Sequence, residues 1–395
     1  MSRHPVSTVI RAALRDQPQL HMFCTYQQDD LIELFGADRM VRFPIAENAM
    51  LGMAVGMALV GRRVLVNVAR VAFLFTAFDQ LVNQATKWRY MSDGQYAVPI
   101  VIRALTRGDE HLGAQHEHSA YSMLCQIPGL VVAVPSSPNS AAGLMATALT
   151  HPDPVVVLES PRLYAPDWAS LPEPEPSPAP LPFGVANRAR AGRDLTLVGI
   201  GNTVGTCLGA AHVLHRHGVA AQVVDLRTAA PLDRDGTAEL VAGVGPVVLV
   251  DEAQRDASIL CDLALHLVQV GAVEPDRLEL VCGAAVPAPA SPVLLAPLLP
   301  TVDDVVAAAL RLTGRGGGGN GVRSAAVAGA AGHDGGRAGD RQDGEAGQGG
   351  TRTDPLGRQP AACGADRDRQ DGHGPADRDD PADQVGGHQP LLQRE

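Results

Sequence analysis

Short apolar runs alternate with segments of helical periodicity along residues 1–165. Runs in which nearly every position is apolar are typical of strands that are buried on both faces of a parallel sheet. The alternation therefore predicts an α/β domain with helices on both sides of that sheet. The predicted strands are 63–68, 98–103, 130–135 and 155–159, and the predicted helices are 49–60, 73–91 and 139–150.

A second stretch of strand–helix alternation covers residues 190–313. It follows a proline-rich segment at 166–189, whose composition favours a stiff, extended linker. We therefore predict two doubly wound α/β sheet domains joined by this linker. The predicted strands of the second domain are 195–201, 221–226 and 246–252, and its predicted helices are 206–216, 239–243, 258–270 and 303–312.

From residue 314 onward, Gly, Arg, Asp, Ala and Gln dominate the sequence, and large apolar residues almost vanish. Such a segment cannot bury enough apolar surface to offset the entropy lost on folding. We predict that residues 314–395 form a disordered tail.

Composition excludes several classes of partner. The net charge of −11 and the lack of a basic run argue against nucleic-acid binding. The six cysteines are scattered without a CxxC pair, which favours reduced thiols in a cytoplasmic protein. Residues 1–6 do not begin a signal-peptide apolar stretch, and the apolar run 49–60 is too short to span a bilayer. A cytoplasmic protein without a membrane partner is expected.

Glu47 stands at the start of the helix 49–60, which consists of small and apolar residues. A helix with almost no polar face is expected in a core or in a subunit interface. A carboxylate at the beginning of such a helix either satisfies free N–H groups and the helix dipole or performs chemistry. Position alone favours the capping role.

Several further segments follow Glu47 in a distinctive order. An aromatic cluster contains Phe73, Phe75 and Phe78, and a polar loop later contains Gln115 and His116. The complete set comprises 44–47, 73–84, 87–94, 99–103, 113–119, 128–130 and 152–159, then 225–233, 251–252, 283–289 and 302–304 in the second domain. In this order, from about residue 7 to 312, the chain resembles the beta subunit of the thiamine-diphosphate-dependent 2-oxo acid dehydrogenases. It is similar, more distantly, to transketolase.

The resemblance implies a pyrimidine-binding domain, a transketolase C-terminal-like domain and roles for four residues. Glu47 matches the glutamate that binds the cofactor's N1′ and promotes its imino tautomer, a task for a carboxylate in a desolvated pocket. Phe73 matches the aromatic residue that packs on the pyrimidine, and Gln115 is a candidate cofactor contact. His116 matches the histidine that faces the substrate, and a histidine can exchange protons near neutral pH.

The residues themselves leave other interpretations open. Phe73, Phe75 and Phe78 could all be plain core residues, and for Phe75 and Phe78 this is the favoured interpretation. His116 and His118 would also suit a polar surface loop. A cluster of His111, His116 and His118 would suggest a metal, but the loop has no partner cysteines and no metal site is predicted in this chain.

The chain lacks the Gly-Asp-Gly motif that carries the Mg²⁺ site in the family. The resemblance therefore implies an alpha subunit that supplies Mg²⁺ and diphosphate ligands, with the small-residue helix at the interface of an α₂β₂ heterotetramer. The implied reaction decarboxylates pyruvate or a related 2-oxo acid and passes the acyl group to lipoamide on an acyltransferase component. A split transketolase-like enzyme that transfers a two-carbon ketol unit and a non-catalytic partner subunit are the alternatives.

The chain departs from the family pattern at several points. Val71 replaces an aromatic residue, residues 24–28 lack the usual carboxylates, the segment before Phe43 is shortened, and residues 253–255 replace a Gly-aromatic pair. These departures suggest a divergent paralogue.

The tail contains Asp-Arg-Gln-Asp-Gly twice, at 340–344 and 368–372. Codons for Glu-Thr-Asp-Lys-Met, read two bases out of frame, encode this pentapeptide, and Glu-Thr-Asp-Lys resembles a lipoyl-lysine turn. An out-of-frame reading of such DNA is one explanation, and a chance low-complexity repeat is the simpler one.

Overall fold

The computed structural model describes residues 4–26, 28–107, 110–164 and 179–315. Most of the predicted tail, residues 166–178 of the predicted linker and residue 165 lie outside this part of the chain. The strands are β1 Leu20–Cys24, β2 Met40–Arg42, β3 Arg63–Arg70, β4 Ile100–Leu105, β5 Val131–Ala133, β6 Val155–Glu159, β7 Asn187–Arg190, β8 Leu195–Gly199, β9 Ala221–Asp225, β10 Thr228–Ala230, β11 Val247–Gln254 and β12 Leu278–Gly283. The helices are α1 Pro5–Asp16, α2 Asp29–Phe35, α3 Glu47–Leu59, α4 Val71–Leu74, α5 Trp88–Met91, α6 Tyr121–Leu124, α7 Pro138–Ala148, α8 Asn202–Arg216, α9 Arg234–Val241, α10 Ile259–Gln269, α11 Pro292–Leu295 and α12 Val302–Leu312.

The strands form two sheets. The first has the order β10-β5-β6-β4-β3-β1-β2, and the second has the order β12-β11-β8-β9-β7. All pairs are parallel except β10 with β5 and β7 with β9, which are antiparallel edge pairs. Because β10 follows β9 in the chain, the later half of the sequence supplies the edge strand of the first sheet. The predicted α/β class is confirmed, with two antiparallel edges that the sequence pattern did not indicate.

Apolar side chains cover both faces of the first sheet. Val64 and Val66 of β3 point to the face that is covered by α3, whereas Leu65 between them packs in the layer of α1 and α7. This is the two-sided burial that continuous apolar strands require. The second sheet packs against α8 and α12 through a separate cluster that includes Leu197 and Val305.

The segment after β3 is not the single helix that the periodicity predicts. It consists of α4, a 3-10 turn at Phe75–Ala77, a π-helical turn at Gln80–Ala85 and α5. A tight turn followed by a wide one has nearly the average periodicity of an α-helix, so spacing alone cannot separate the two. Residues 73–91 are therefore helical in character, as predicted, but they do not form one regular α-helix.

The end of the proline-rich region packs against α7. Leu181 N donates to Gly143 O at 3.1 Å, and Thr147 Oγ1 donates to Leu181 O at 2.6 Å. A Cβ at Gly143 would lie 2.6 Å from Leu181 Cγ, so this close approach depends on glycine. The described end of the predicted linker is thus anchored to the first sheet's helical layer.

One stretch of the described residues, Pro292–Leu312, has the length and apolar composition of a membrane span. It is not one continuous helix, because a capping box between Thr301 and Asp304 starts α12 afresh. Val305, Ala308 and Ala309 of α12 are buried in the core of the second sheet. The apolar composition of α12 is accounted for by this packing.

Candidate active site

Glu47 is the first residue of α3, with Ala46 at the N-cap position. Ala46 cannot cap the helix through its side chain, and no described residue donates a hydrogen bond to the Glu47 carboxylate. The residue is only 9% exposed. The capping role is therefore not realised through a hydrogen bond, and the acceptor capacity of a buried carboxylate is left for another molecule.

The start of α3 is joined to the segment that carries Phe73. Asn48 Nδ2 donates to Thr76 O at 3.2 Å, and Thr76 Oγ1 donates to Phe73 O at 2.8 Å. The helix lies close to this segment, since a Cβ at Gly52 would be 3.3 Å from Gln80 Oε1. Small residues in α3 thus permit the approach that brings Glu47 and Phe73 to one edge of the first sheet.

His116 contacts Phe73. The two rings meet edge to face with centroids 5.4 Å apart, a favourable aromatic geometry. The His116 Nδ1 atom is buried and has no hydrogen-bond partner among the described residues. An unpaired ring nitrogen inside the protein is costly, so the packing against Phe73 and not a hydrogen bond from Nδ1 holds this ring.

The neighbours of His116 have different environments. Gln115 is exposed and lies at the surface of the loop. His118 packs edge to face on Phe75 at 5.6 Å between centroids. Burial lowers the pKa of His118, and the positive charges of Arg107 and His116 lower it further. His118 is therefore held in its neutral form near pH 7.

A cleft of about 720 Å³ opens beside these residues, between the 110–127 region and the loops after β11 and β12. Its walls include Phe75, Phe78, His118, Met123, Gln254 and Val286. Phe75 and Phe78 thus line a cleft and are more than core residues. Glu47, Phe73 and His116 are not among the lining residues of the cleft, so the cleft adjoins this group without containing it.

Arg70 is a polar residue of the site region that the sequence analysis did not single out. It closes β3, is 8% exposed and forms an ion pair with Glu110. Its Nη1 atom is buried without a partner in the described chain. The available signal was a charge at the end of a mostly apolar strand, three residues before Phe73.

The carboxyl end of β11 carries two buried acids whose sequence motif was noted without a role. Asp251 accepts hydrogen bonds from Tyr121 Oη and, at 2.5 Å, from Ser258 Oγ. Burial raises the pKa of Asp251. Burial, assisted by Asp251, also raises the pKa of Glu252 to about 7, although hydrogen bonds from Asn202 and Ser119 oppose the shift.

Within the described ranges, no group of three His, Cys, Asp or Glu side chains is arranged to hold a metal ion. His111 and His118 belong to the same loop as His116 without forming such a cluster.

Two family models match the chain. Residues 2–166 match the transketolase pyrimidine binding domain, and residues 184–305 match the transketolase C-terminal domain. The chain is 37% identical over 282 residues to the acetoin:2,6-dichlorophenolindophenol oxidoreductase subunit beta of Cupriavidus necator, covering 71% of this chain and 82% of that protein. It is 36% identical over 282 residues to a mitochondrial pyruvate dehydrogenase E1 component subunit beta-2 of Oryza sativa subsp. japonica, covering 71% and 75%.

A solved structure described as a split gene transketolase in an inactive beta4 tetramer shares the fold. Its TM-score is 0.64 at 21% sequence identity, and the match covers 79% of this chain and 98% of that one. At this identity the likeness concerns the fold.

The residues present fit thiamine diphosphate, the cofactor of this family. The buried Glu47 carboxylate and the buried His116 Nδ1 are both unused by the described chain, and Phe73 lies between their segments. The fold, the two family models and the relatives agree: the chain belongs to the family of beta subunits of thiamine-diphosphate-dependent 2-oxo acid dehydrogenases.

Proposed function

We propose that this chain, together with an alpha subunit in an α₂β₂ heterotetramer, decarboxylates pyruvate or a related 2-oxo acid. The acyl group then passes to lipoamide on an acyltransferase component. The observation that carries the proposal is the buried Glu47 carboxylate without a hydrogen-bond partner in the described chain, at the same edge as Phe73 and His116.

Each residue has a distinct task. Thiamine diphosphate, when bound, would supply a carbon nucleophile for the 2-oxo acid and an electron sink for its decarboxylation. Glu47 would hold the aminopyrimidine N1′ by a hydrogen bond and so favour the imino form. Phe73 offers a flat apolar wall, and His116 exchanges a proton with the substrate. Gln115 is proposed as a further contact to the cofactor.

An exposed face of α3 supports the alpha-subunit partner. Ala49, Met53 and Gly56 are exposed along one side of the helix, and Ile45 and Val60 extend this stripe at its two ends. A Cβ at Gly56 would meet no atom within 4 Å. Small and apolar residues on an exposed helix allow a second helix to approach closely. The absence of Gly-Asp-Gly from the sequence supports placing the Mg²⁺ ligands on that partner.

The test uses the chain co-purified with the alpha-like product of a neighbouring gene. Decarboxylation of pyruvate and of branched 2-oxo acids is measured with and without lipoamide, and acetoin is included because one relative carries it in its name. Glu47→Ala should abolish turnover while the mass of the complex stays unchanged. Glu33→Ala changes an exposed glutamate and serves as the matched control.

The outcomes separate the alternatives. Full turnover by Glu47→Ala would refute the cofactor role of Glu47. Ketol transfer to an aldose without oxidation would favour a split transketolase-like enzyme. A complex that forms but never binds thiamine diphosphate would favour a non-catalytic subunit.

A cytoplasmic location is proposed as well. Five cysteines in the described chain are unpaired thiols, which suits a reducing compartment. Cell fractionation with an antibody to the chain tests this, and recovery in a membrane or secreted fraction would contradict it.

A further inference from the structure

The second sheet reaches into the loop that carries the candidate histidine. Glu252, near the end of β11, is 6% exposed. Its two carboxylate oxygens bind different donors: Ser119 Oγ donates to Oε1 at 3.1 Å, and Asn202 Nδ2 donates to Oε2 at 3.1 Å. Ser119 belongs to the first half of the chain and Asn202 begins α8, so one carboxylate joins elements of both sheets.

The same contacts hold the other end of the loop. Asn202 Nδ2 also donates to Arg107 O at 3.3 Å, and Arg107 Nη1 approaches Glu252 O at 3.5 Å. Arg107 N in turn donates to His118 O at 3.0 Å. We call residues 110–119 the histidine segment. Ser119 is therefore tied to the Glu252 carboxylate, whereas Arg107 is tied to the main-chain O of Glu252 and, through Asn202, to its carboxylate.

We propose that Glu252 is a positioning residue, which holds the histidine segment so that His116 lies against Phe73 and His118 lies against Phe75. This inference rests on the proposed function, in which His116 faces the substrate. Glu252 lies on the second sheet and acts through Ser119, Asn202 and Arg107 without touching the reacting atoms.

A side chain with two polar atoms is needed at this position. Ser119 and Asn202 each bring a donor to a buried place, and a buried donor without an acceptor is destabilising. A glutamine accepts from Asn202 through its oxygen, while the Ser119 hydroxyl can turn to accept from its amide. A leucine of similar size leaves the Ser119 hydroxyl without this acceptor and leaves Asn202 Nδ2 only its bond to Arg107 O. Glutamine should therefore rescue what leucine removes.

The experiment compares Glu252→Leu with Glu252→Gln in the co-purified complex. We expect hydrogen exchange in the histidine segment to become at least about tenfold faster in Glu252→Leu, because the carboxylate bonds to Ser119 and Asn202 are lost. The contact of Arg107 with the main-chain O of Glu252 remains in this variant. We expect kcat to fall by on the order of tenfold to a hundredfold, because misplaced catalytic groups lower the rate. KM and thiamine diphosphate affinity should change less than about threefold, because Glu47 and the core contacts of Phe73 remain. Glu252→Gln should keep exchange and kcat near the wild-type values.

Two controls keep the result interpretable. Glu239→Leu changes an exposed glutamate on α9 and should alter neither exchange nor kcat. Should Glu252→Leu fail to fold, Ser119→Ala removes a single tether, and the same changes with smaller size are expected.

The inference is overturned if exchange in the histidine segment and kcat are unchanged in Glu252→Leu or, where that variant does not fold, in Ser119→Ala. It is overturned as well if thiamine diphosphate affinity falls as much as kcat. A wild-type complex that acts on no 2-oxo acid counts against the proposed function, whereas the exchange comparison still tests the tether.

Discussion

Two parallel strands, β6 in the first sheet and β11 in the second, each carry a buried glutamate near their carboxyl ends, and the two glutamates have different partners. Glu159 is 0% exposed and binds a cation: Arg103 Nε donates to both carboxylate oxygens at 3.0 Å, and Nη2 donates at 2.7 Å. The hydrogen bonds to the Glu252 carboxylate come from neutral groups, Ser119 and Asn202.

The difference teaches how a hydrogen-bonded cation changes a buried acidic site. Burial lowers the pKa of Arg103, but the adjacent Glu159 carboxylate outweighs this and leaves the pKa of Arg103 above its ordinary value. Arg103 is therefore charged over the physiological range. The Glu252 carboxylate has no cation among its hydrogen-bond partners in the described chain, and burial raises its pKa to about 7 although the charge of Arg107 opposes the shift. The first carboxylate is held by a charged arginine, whereas the second changes charge near neutral pH.

The largest effect is expected from Arg103→Met. This change leaves Glu159 buried without its cation, which typically costs about 3–5 kcal/mol of unfolding free energy. Urea unfolding at pH 7 measures the loss. The double variant Arg103→Met/Glu159→Leu should recover most of the stability, because an apolar pair of similar volume replaces both charges. Arg62→Met, at an exposed position, is the control. A loss below about 1 kcal/mol in Arg103→Met would show that the pair is not needed for stability.

The pH dependence of stability should report on Glu252. Its carboxyl loses its proton near pH 4.5 when unfolded and near 7 when folded, so the folded state binds more protons between these values. Stability should therefore decline as pH rises from about 5 to 7, by on the order of 3 kcal/mol from this group, and then level off.

Glu252→Gln should remove that part of the slope, as measured by urea unfolding at a series of pH values. Asp225 and Asp251, whose pKa values burial also raises, contribute slopes of the same sign in both proteins. An unchanged slope in Glu252→Gln would mean that Glu252 does not titrate in this range.

The smallest effect is expected from two tyrosines, of which one donates to Glu159 and the other to Asp251, the acid next to Glu252 on β11. Tyr121→Phe removes a donor to Asp251, which has no cation among its hydrogen-bond partners in the described chain, and should cost about 1–3 kcal/mol. Tyr164→Phe removes a donor to Glu159, which keeps Arg103, and should cost about 1 kcal/mol or less. Thermal unfolding of the two variants side by side measures the difference. Equal losses would remove the distinction between the sites.

The sequence predicted β6 and β11 together with the acids near their ends, because an apolar run that ends in a carboxylate can be recognised from the sequence alone. It did not predict the partners. Arg103 lies on β4, which neighbours β6 in the sheet, but this adjacency depends on strand order. Ser119 and Glu252 are 133 residues apart, and no local pattern connects them.

At the candidate site, too, the sequence predicted the residues but not their contacts. Residue type and position marked Glu47, Phe73, Gln115 and His116 through a family resemblance. The structure brings Phe73 and His116 into contact and shows Gln115 exposed at the loop surface. The broken helix after β3 was missed, since a 3-10 turn and a π turn together imitate helical spacing. The antiparallel strand β10 was missed because a strand of three residues is too short for a periodic pattern to be recognised.

The sequence by itself determined the α/β class, the buried strands, the small-residue helix behind Glu47 and the positions at which charges meet apolar runs. These follow from local periodicity and from the cost of burying polar groups. Only the tertiary structure decided that β10 completes the first sheet, that Arg103 neutralises Glu159 and that Glu252 reaches the histidine segment. Those outcomes depend on which distant strands become neighbours, and this choice is made by packing the whole apolar core at once.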